Sequence, residues 1–276
     1  LVKVILLFIT TAHSTVLIVP EEYFSIQNAI NNSSLNDTIL ILDGIYHENI
    51  NLLNKNIVLG SSFLINGNID HINNTIIDGD SSDHVIIINY GEAPIVKGLT
   101  IQNGFTDSTT YGAGILIDNY SNPYIEDCII QNNHSRRSGA GISVNNGSSP
   151  LIKNCIIKNN FTPRGGSGVY CKQSTIPVQP QILNCLFDSN IAGTGGGGGI
   201  RGKNTANPHV YNCNFVNNSA DFGGAIHHAS GGNPIVLSNS AFCGNNPDNI
   251  SSSSNYSVID ELFYTENCDS LVNSFA

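Results

Sequence analysis

The stretch "PHVYNCNFVNNSADFGGAIHH", residues 208 to 228, combines a short apolar alternation with paired asparagines, glycines and histidines. Its plan recurs upstream. "PYIEDCIIQNNHSRRSGAGISV" begins at Pro123 and "PLIKNCIIKNNFTPRGGSGVYC" at Pro150, while "PQILNCLFDSN" leading to "GGGGGIRG" begins at Pro180. Fainter copies start at Pro94 ("PIVKGLTIQNG") and Pro234 ("PIVLSNSAFCGNN"), so from Pro123 onward the copies follow one another at 26 to 30 residues. Self-similarity at that period is the signature of a solenoid. Each copy contains runs of period two broken by Asn, Gly and Pro, and nothing of helical period long enough to cross back over a sheet. One repeat is therefore one coil of short strands, and stacked coils place equivalent residues about 4.8 Å apart.

Aligned columns then become stripes along the rod. Three predicted interior stripes are Val96, Ile125, Ile152, Ile182, Val210; Leu99, Cys128, Cys155, Cys185, Cys213; and Ile101, Ile130, Ile157, Phe187, Phe215. Ile115, Ile142, Val169, Ile200 and Ile226 form a further inner wall. The column Asn133, Asn160, Asn190, Asn218, Asn245 falls where the chain must turn; asparagine tolerates left-handed backbone there and its amide can bond the coils on either side. Glycine pairs such as Gly223–Gly224 suit a tight corner.

The predicted fold is all-β: a single parallel β-helix, a solenoid of about eight coils with a short N-terminal capping helix, for which the resemblance given below implies a right-handed coil. In "FSIQNAINN", Ser25 is placed to N-cap a turn or two carrying Ile26, Ala29 and Ile30 inward. In "LVKVILLFITTAHS", Lys3 precedes a short apolar run, and Ala12 and Ser14 have signal-peptidase spacing. Residues 1–14 are thus expected to be an export signal, the competing reading being a buried first strand, and 15–276 the β-helix domain, with an irregular C-terminal cap at about 243–276. Within that tail, Cys243 and Cys268 are expected to pair, closing a loop worth about 3 kcal/mol. The four cysteines of the interior column lie side by side, which favours buried thiols over bridges or a metal site.

The succession of capping helix, "DTILILDGIYHENI", "TIIDGD", "GLTIQNG" and repeated "P-x-I-x-N-C" coils resembles secreted right-handed β-helix proteins of the pectin-lyase-like superfamily. Pairing "FDSN" or "FVNN" with "GGAI" is also similar to repeats of polymorphic outer-membrane adhesins. The resemblance implies an extracellular protein that meets glycans. "GIYHEN" is similar to the Gly-x-Tyr-x-Glu segment of pectin methylesterases, but the Gln-Asp-Thr, Asp-Phe-Ile-Phe-Gly and Gly-Arg-Pro-Trp segments that carry their active residues are missing. Polygalacturonase and alginate-epimerase motifs are missing too. Gly197-x4-Gly202-Lys203 mimics a phosphate loop, with Asn204 where Ser or Thr is required.

Charge supplies the remaining signal. The chain carries a formal −10, yet residues 128–220 hold eight of its eleven basic side chains against one acid, Asp188. Outward columns after the glycine corner read Leu116, Ser143, Tyr170, Arg201, His227 and Asp118, Asn145, Lys172, Lys203, Ala229. Tyr170, Lys172, Arg201, Lys203 and His227 are therefore the expected substrate-binding face, able to meet sugar carboxylates or sulfates. His227 and His228, adjacent on a strand, point to opposite faces and cannot share an ion. The function expected is binding of acidic polysaccharide or cell-surface glycan, or adhesion, by a secreted or surface monomer. No cofactor, metal, nucleic acid or membrane span in the mature chain is expected. The alternative is a polysaccharide lyase, in which Arg201 or Lys203 neutralises a uronate while Tyr170 or His227 removes a proton.

Overall fold

The computed structural model describes residues 14–172, 176–229, 234–251, 256–258 and 262–273. Most of the expected export signal therefore lies outside the described residues. Among the described residues, thirty short strands form four parallel walls of ten, nine, seven and four strands, and in each wall a strand pairs with its counterpart one coil away. The result is a right-handed parallel β-solenoid in which seven coils carry all three main walls, close to the eight expected. The first wall runs from Val16–Val19 to Tyr256–Val258, the second from Gly44–His47 to Leu262–Tyr264, and the third from Ile50–Asn51 to Ile226–Ala229.

The register matches the sequence columns. Ile125 pairs with Val96 and Ile152, Ile130 with Ile101 and Ile157, and Ile142 with Ile115 and Val169. Every member of the four predicted interior stripes is buried. Because each coil repeats the last, like side chains meet like. Phe187, Phe215 and Phe242 stack nearly parallel at 4.8 and 5.1 Å, and Tyr264 continues the pile at 5.6 Å. Cys128, Cys155, Cys185 and Cys213 remain unbridged, and each thiol points at a backbone carbonyl of the neighbouring coil. Burial pushes the thiols of Cys128, Cys155 and Cys185 well above their ordinary range, which keeps them unreactive.

The inner asparagine column forms a buried ladder. Asn160 Nδ2 donates to Asn190 Oδ1 at 3.0 Å and to the Ile130 carbonyl at 3.0 Å, while its Oδ1 accepts from the backbone and side chain of Asn133, both at 3.1 Å. Asn190, Asn218 and Asn245 repeat the pattern. The left-handed geometry expected of this column belongs instead to the residue before it: φ is +55° at Asn132, +54° at Asn159, +54° at Ser189 and +53° at Asn217. The Asn-Asn pairs divide the work. The first residue takes the bend, so the second can keep its amide aimed along the stack. At the next corner Gly197 has φ +69°, and a Cβ there would sit 2.3 Å from the Ile200 carbonyl oxygen.

Both ends are finished by local devices. Ser25 Oγ accepts from Asn28 N at 3.1 Å, capping the helix Ile26–Asn32 whose Ile26, Ala29 and Ile30 are buried. Glu48 of "GIYHEN" accepts from the amides of Ile26 and Gln27 at 2.8 and 2.9 Å. At the other terminus, Lys55 Nζ donates to the carbonyls of Ile30, Asn31 and Ser33. A carboxylate at the first turn and an ammonium at the last complement the helix dipole, so this acidic segment serves the cap. Beyond Cys243 the first two walls each gain a strand, and the helix Cys268–Asn273 is tied back by the Cys243–Cys268 disulfide.

Two outcomes follow for stability. Asn160→Leu strands the buried Asn133 amide and breaks several ladder bonds, each worth about 1 to 3 kcal/mol. Asn159→Leu meets only the left-handed penalty of roughly 1 to 2 kcal/mol. The thermal midpoint should fall further for Asn160→Leu; equal midpoints would refute the division of roles. The second outcome concerns Glu92, which is buried, bonded through Oε1 to Asn89 N and unpartnered at Oε2. Burial pushes its pKa up to about 7. A carboxyl raised on folding contributes stability that is complete below pH 4.5 and is lost as pH rises through about 7. Urea melts of Glu92→Gln should show a flatter decline between pH 5 and 8 than the parent chain.

Candidate functional site

The third wall positions the candidate face. Its strands alternate strictly, so Ile200 points in, Arg201 out, and Lys203 out again. Pairing places Tyr170 beside Ser143 and Arg201, Arg201 beside His227, and Lys172 beside Asn145 and Lys203. The five residues singled out in the sequence thus occupy two adjacent outward columns on three successive coils.

They are not equally accessible. Tyr170 is only 2% exposed, because Tyr111 from the 107–114 loop stacks on it at 5.4 Å with the rings 22° apart. His227, expected on the surface, is 5% exposed: Phe222 at the glycine corner packs edge-on against its ring at 4.6 Å. Arg201 is half-buried, its guanidinium carbon 5.9 Å from the centre of the Tyr170 ring. Lys172 and Lys203 are partly exposed. His228 faces inward as phase requires, with Nε2 3.0 Å from the Ala206 carbonyl oxygen.

Two further residues belong to the face, and the column reading missed both. Lys172 Nζ lies 3.3 Å from Tyr111 Oη and 5.0 Å from its ring centre, and the Arg137 guanidinium lies over the same ring at 4.1 Å. Arg137 also donates to the Thr109 carbonyl. Tyr111 is therefore the aromatic hub between Arg137, Lys172 and Tyr170. The signal available was the insertion "FTDSTTYGAG", which breaks the repeat and carries an aromatic residue into a loop.

Electrostatics follow from this packing. Burial pushes the Tyr170 phenol up to about 12, so it stays protonated at neutral pH. Burial and the neighbouring Arg201 charge push His227 down to about 4, leaving its imidazole uncharged. The fixed charge is thus carried by Arg137, Lys172, Arg201 and Lys203, with Arg164 close enough to act on Arg201. Such a face can hold anionic groups against aromatic rings. The one group of metal-type ligands found among the described residues lies elsewhere, at His47, Asp78 and Asp80. There His47 bonds Asp80 at 2.8 Å, and Asp78 already accepts from Gln102, Asn103 and the Asp80 amide.

Comparison with known proteins agrees with the architecture. No curated protein sequence matches the chain. Among solved structures, the deglycosylated pectin methylesterase of Aspergillus niger superposes with a TM-score of 0.59 at 13% identity, covering 94% of this chain and 87% of that one. Pectin methylesterase from carrot gives 0.52 at 15% identity, covering 95% and 86%, and that of rice weevil 0.51 at 12%, covering 94% and 84%. At such identities the likeness concerns the fold. The family model described as the right handed beta helix region matches residues 16–263, and the chain belongs to that family.

Proposed function

We propose that this chain is a secreted or cell-surface β-helix protein that binds acidic polysaccharide across the outer face of its third wall. The observation that carries the reading is the clustering of Arg137, Lys172, Arg201 and Lys203 around the stacked Tyr111 and Tyr170 in an otherwise acidic chain. Planar guanidinium groups donate paired hydrogen bonds to carboxylates or sulfates, and neighbouring coils set such groups about one strand spacing apart. The disulfide suits an oxidising compartment, and no helix among the described residues is long and apolar enough to cross a membrane. The solved structures of similar fold include pectin methylesterases, which supports a polysaccharide as the class of ligand.

Binding fits the face better than elimination does. A lyase needs a base at the substrate; Tyr170 is held protonated, and His227 lies beneath Phe222. Two measurements test the proposal. Polygalacturonate and a sulfated glycan should be retained by the parent chain, and Arg201→Gln with Lys203→Gln should weaken binding by roughly 1 to 3 kcal/mol and flatten its salt dependence. Glutamine is chosen because Arg201 packs on Tyr170 and truncation to alanine would also remove that contact. Lys153→Gln with Lys158→Gln removes equal charge from the first two walls; an equal loss in both doubles would show diffuse attraction and no site. Accumulation of unsaturated uronate on mixing with pectate would transfer the reading to the lyase.

A further inference from the structure

A second groove lies away from the basic face, at the corner between the first and second walls. The residue preceding the cysteine column bends there with positive φ: Asn154 (+53°), Asn184 (+51°), Asn212 (+52°) and Asn239 (+45°). Their exposed amides form an outer ladder. Asn239 Nδ2 donates to Asn212 at 2.6 Å, Asn212 to Asn184 at 3.2 Å, Asn184 to Asn154 at 3.4 Å, and Asn154 to Asp127 at 3.0 Å. An asparagine amide has two donor hydrogens and two acceptor lone pairs, and the ladder occupies one of each. Every coil therefore offers one further donor and one further acceptor outward, repeated at about 4.8 Å.

These asparagines line an open cleft of about 890 Å³ together with Phe263, Tyr264 and Leu271. Phe263 is 47% and Tyr264 62% exposed, with Tyr264 seated on Phe242. The C-terminal helix forms the far bank, held by Asn214 Nδ2 donating to the Leu271 carbonyl at 3.1 Å and by the Cys243–Cys268 bridge. Among the described residues, no side chain lining this cleft is charged. A smaller cleft of about 310 Å³ shares Asn154, carries Asp127 and Lys158 on its wall, and ends against Phe63, Ile69 and Ile72. Together they trace a path along the rod, polar on its floor and apolar at both ends.

We propose that this groove binds a segment of neutral polysaccharide lying parallel to the coil axis. The chemistry is complementary at each point. Sugar hydroxyls donate and accept at once, as the free halves of the amides require; the C–H faces of pyranose rings stack on exposed aromatic rings; and the larger cleft, uncharged in its described lining, disfavours uronates, which belong to the third wall. A ring-by-ring repeat along a linear glycan is close in length to the coil spacing, so successive sugars meet successive asparagines. The site stands independently of the proposed acidic-polysaccharide face.

Calorimetric titration with cellohexaose, galactohexaose, mannohexaose and hexagalacturonate tests the assignment. At least one neutral hexasaccharide should bind with an affinity insensitive to salt. Asn184→Gly with Asn212→Gly removes two ladder amides while glycine keeps the left-handed backbone, and Tyr264→Leu keeps the cover over Phe242; each should lower that affinity about tenfold or more. Arg201→Gln with Lys203→Gln should leave it unchanged. Backbone amide NMR shifts of the parent chain locate the ligand without any substitution: changes at 184, 212–214 and 262–271 support the groove, and changes confined to 169–172 and 200–203 overturn it. Failure of all three neutral hexasaccharides to bind, or retention of full affinity in both groove variants, also overturns it, whatever hexagalacturonate does.

Discussion

Each coil must present to the next coil the surface that the previous coil presented to it. That constraint follows from parallel, in-register pairing at about 4.8 Å, and it converts single side chains into continuous stacks. A buried amide cannot satisfy itself, but a column of amides can, each donating up the stack and accepting from below. The ladder through Asn133, Asn160, Asn190, Asn218 and Asn245 meets the demand at the sharpest turn, and the neighbouring phenylalanine pile fills the volume beside it. Once those stacks fix the phase, the direction of every strand residue is set. The outward charges of the third wall and the outward amides of the first corner are consequences of that phase.

The constraint also explains the two ends, where a coil has no neighbour. At the N-terminal end the helix Ile26–Asn32 turns its apolar side into the core, and Glu48 and Lys55 hold its two termini. At the other end Tyr264 closes the aromatic pile, and the disulfide pins the last helix beside it.

Interior positions were legible in the sequence because period-two alternation and a repeat near 28 residues over-determine them. Ile125, Ile130 and Ile142 could occupy no other face. The candidate face was legible only as far as phase reaches. Arg201 and Lys203 point outward as the columns require, but accessibility depends on the corner segments, whose side chains vary from coil to coil. Phe222 covers His227, and Tyr111 covers Tyr170 from a corner segment longer than its counterpart "HSRRSGAG" in the next coil. The left-handed turns were placed one residue late for a related reason. In a pair such as Asn159-Asn160 both residues suit either role, and composition does not say which amide enters the stack. The outer column of Asp127, Asn154, Asn184, Asn212 and Asn239 was visible as the residue before each cysteine or serine. Its meaning emerged only with the cleft that the C-terminal helix builds over it.

Amide hydrogen exchange of the chain with and without an oligogalacturonate tests most directly whether the basic face is a binding site. Protection should rise in peptides covering 105–114, 169–172 and 200–203, where Tyr111, Lys172, Arg201 and Lys203 converge, and stay unchanged along the first wall. Protection that is absent from those peptides, or spread equally over all walls, would contradict the account.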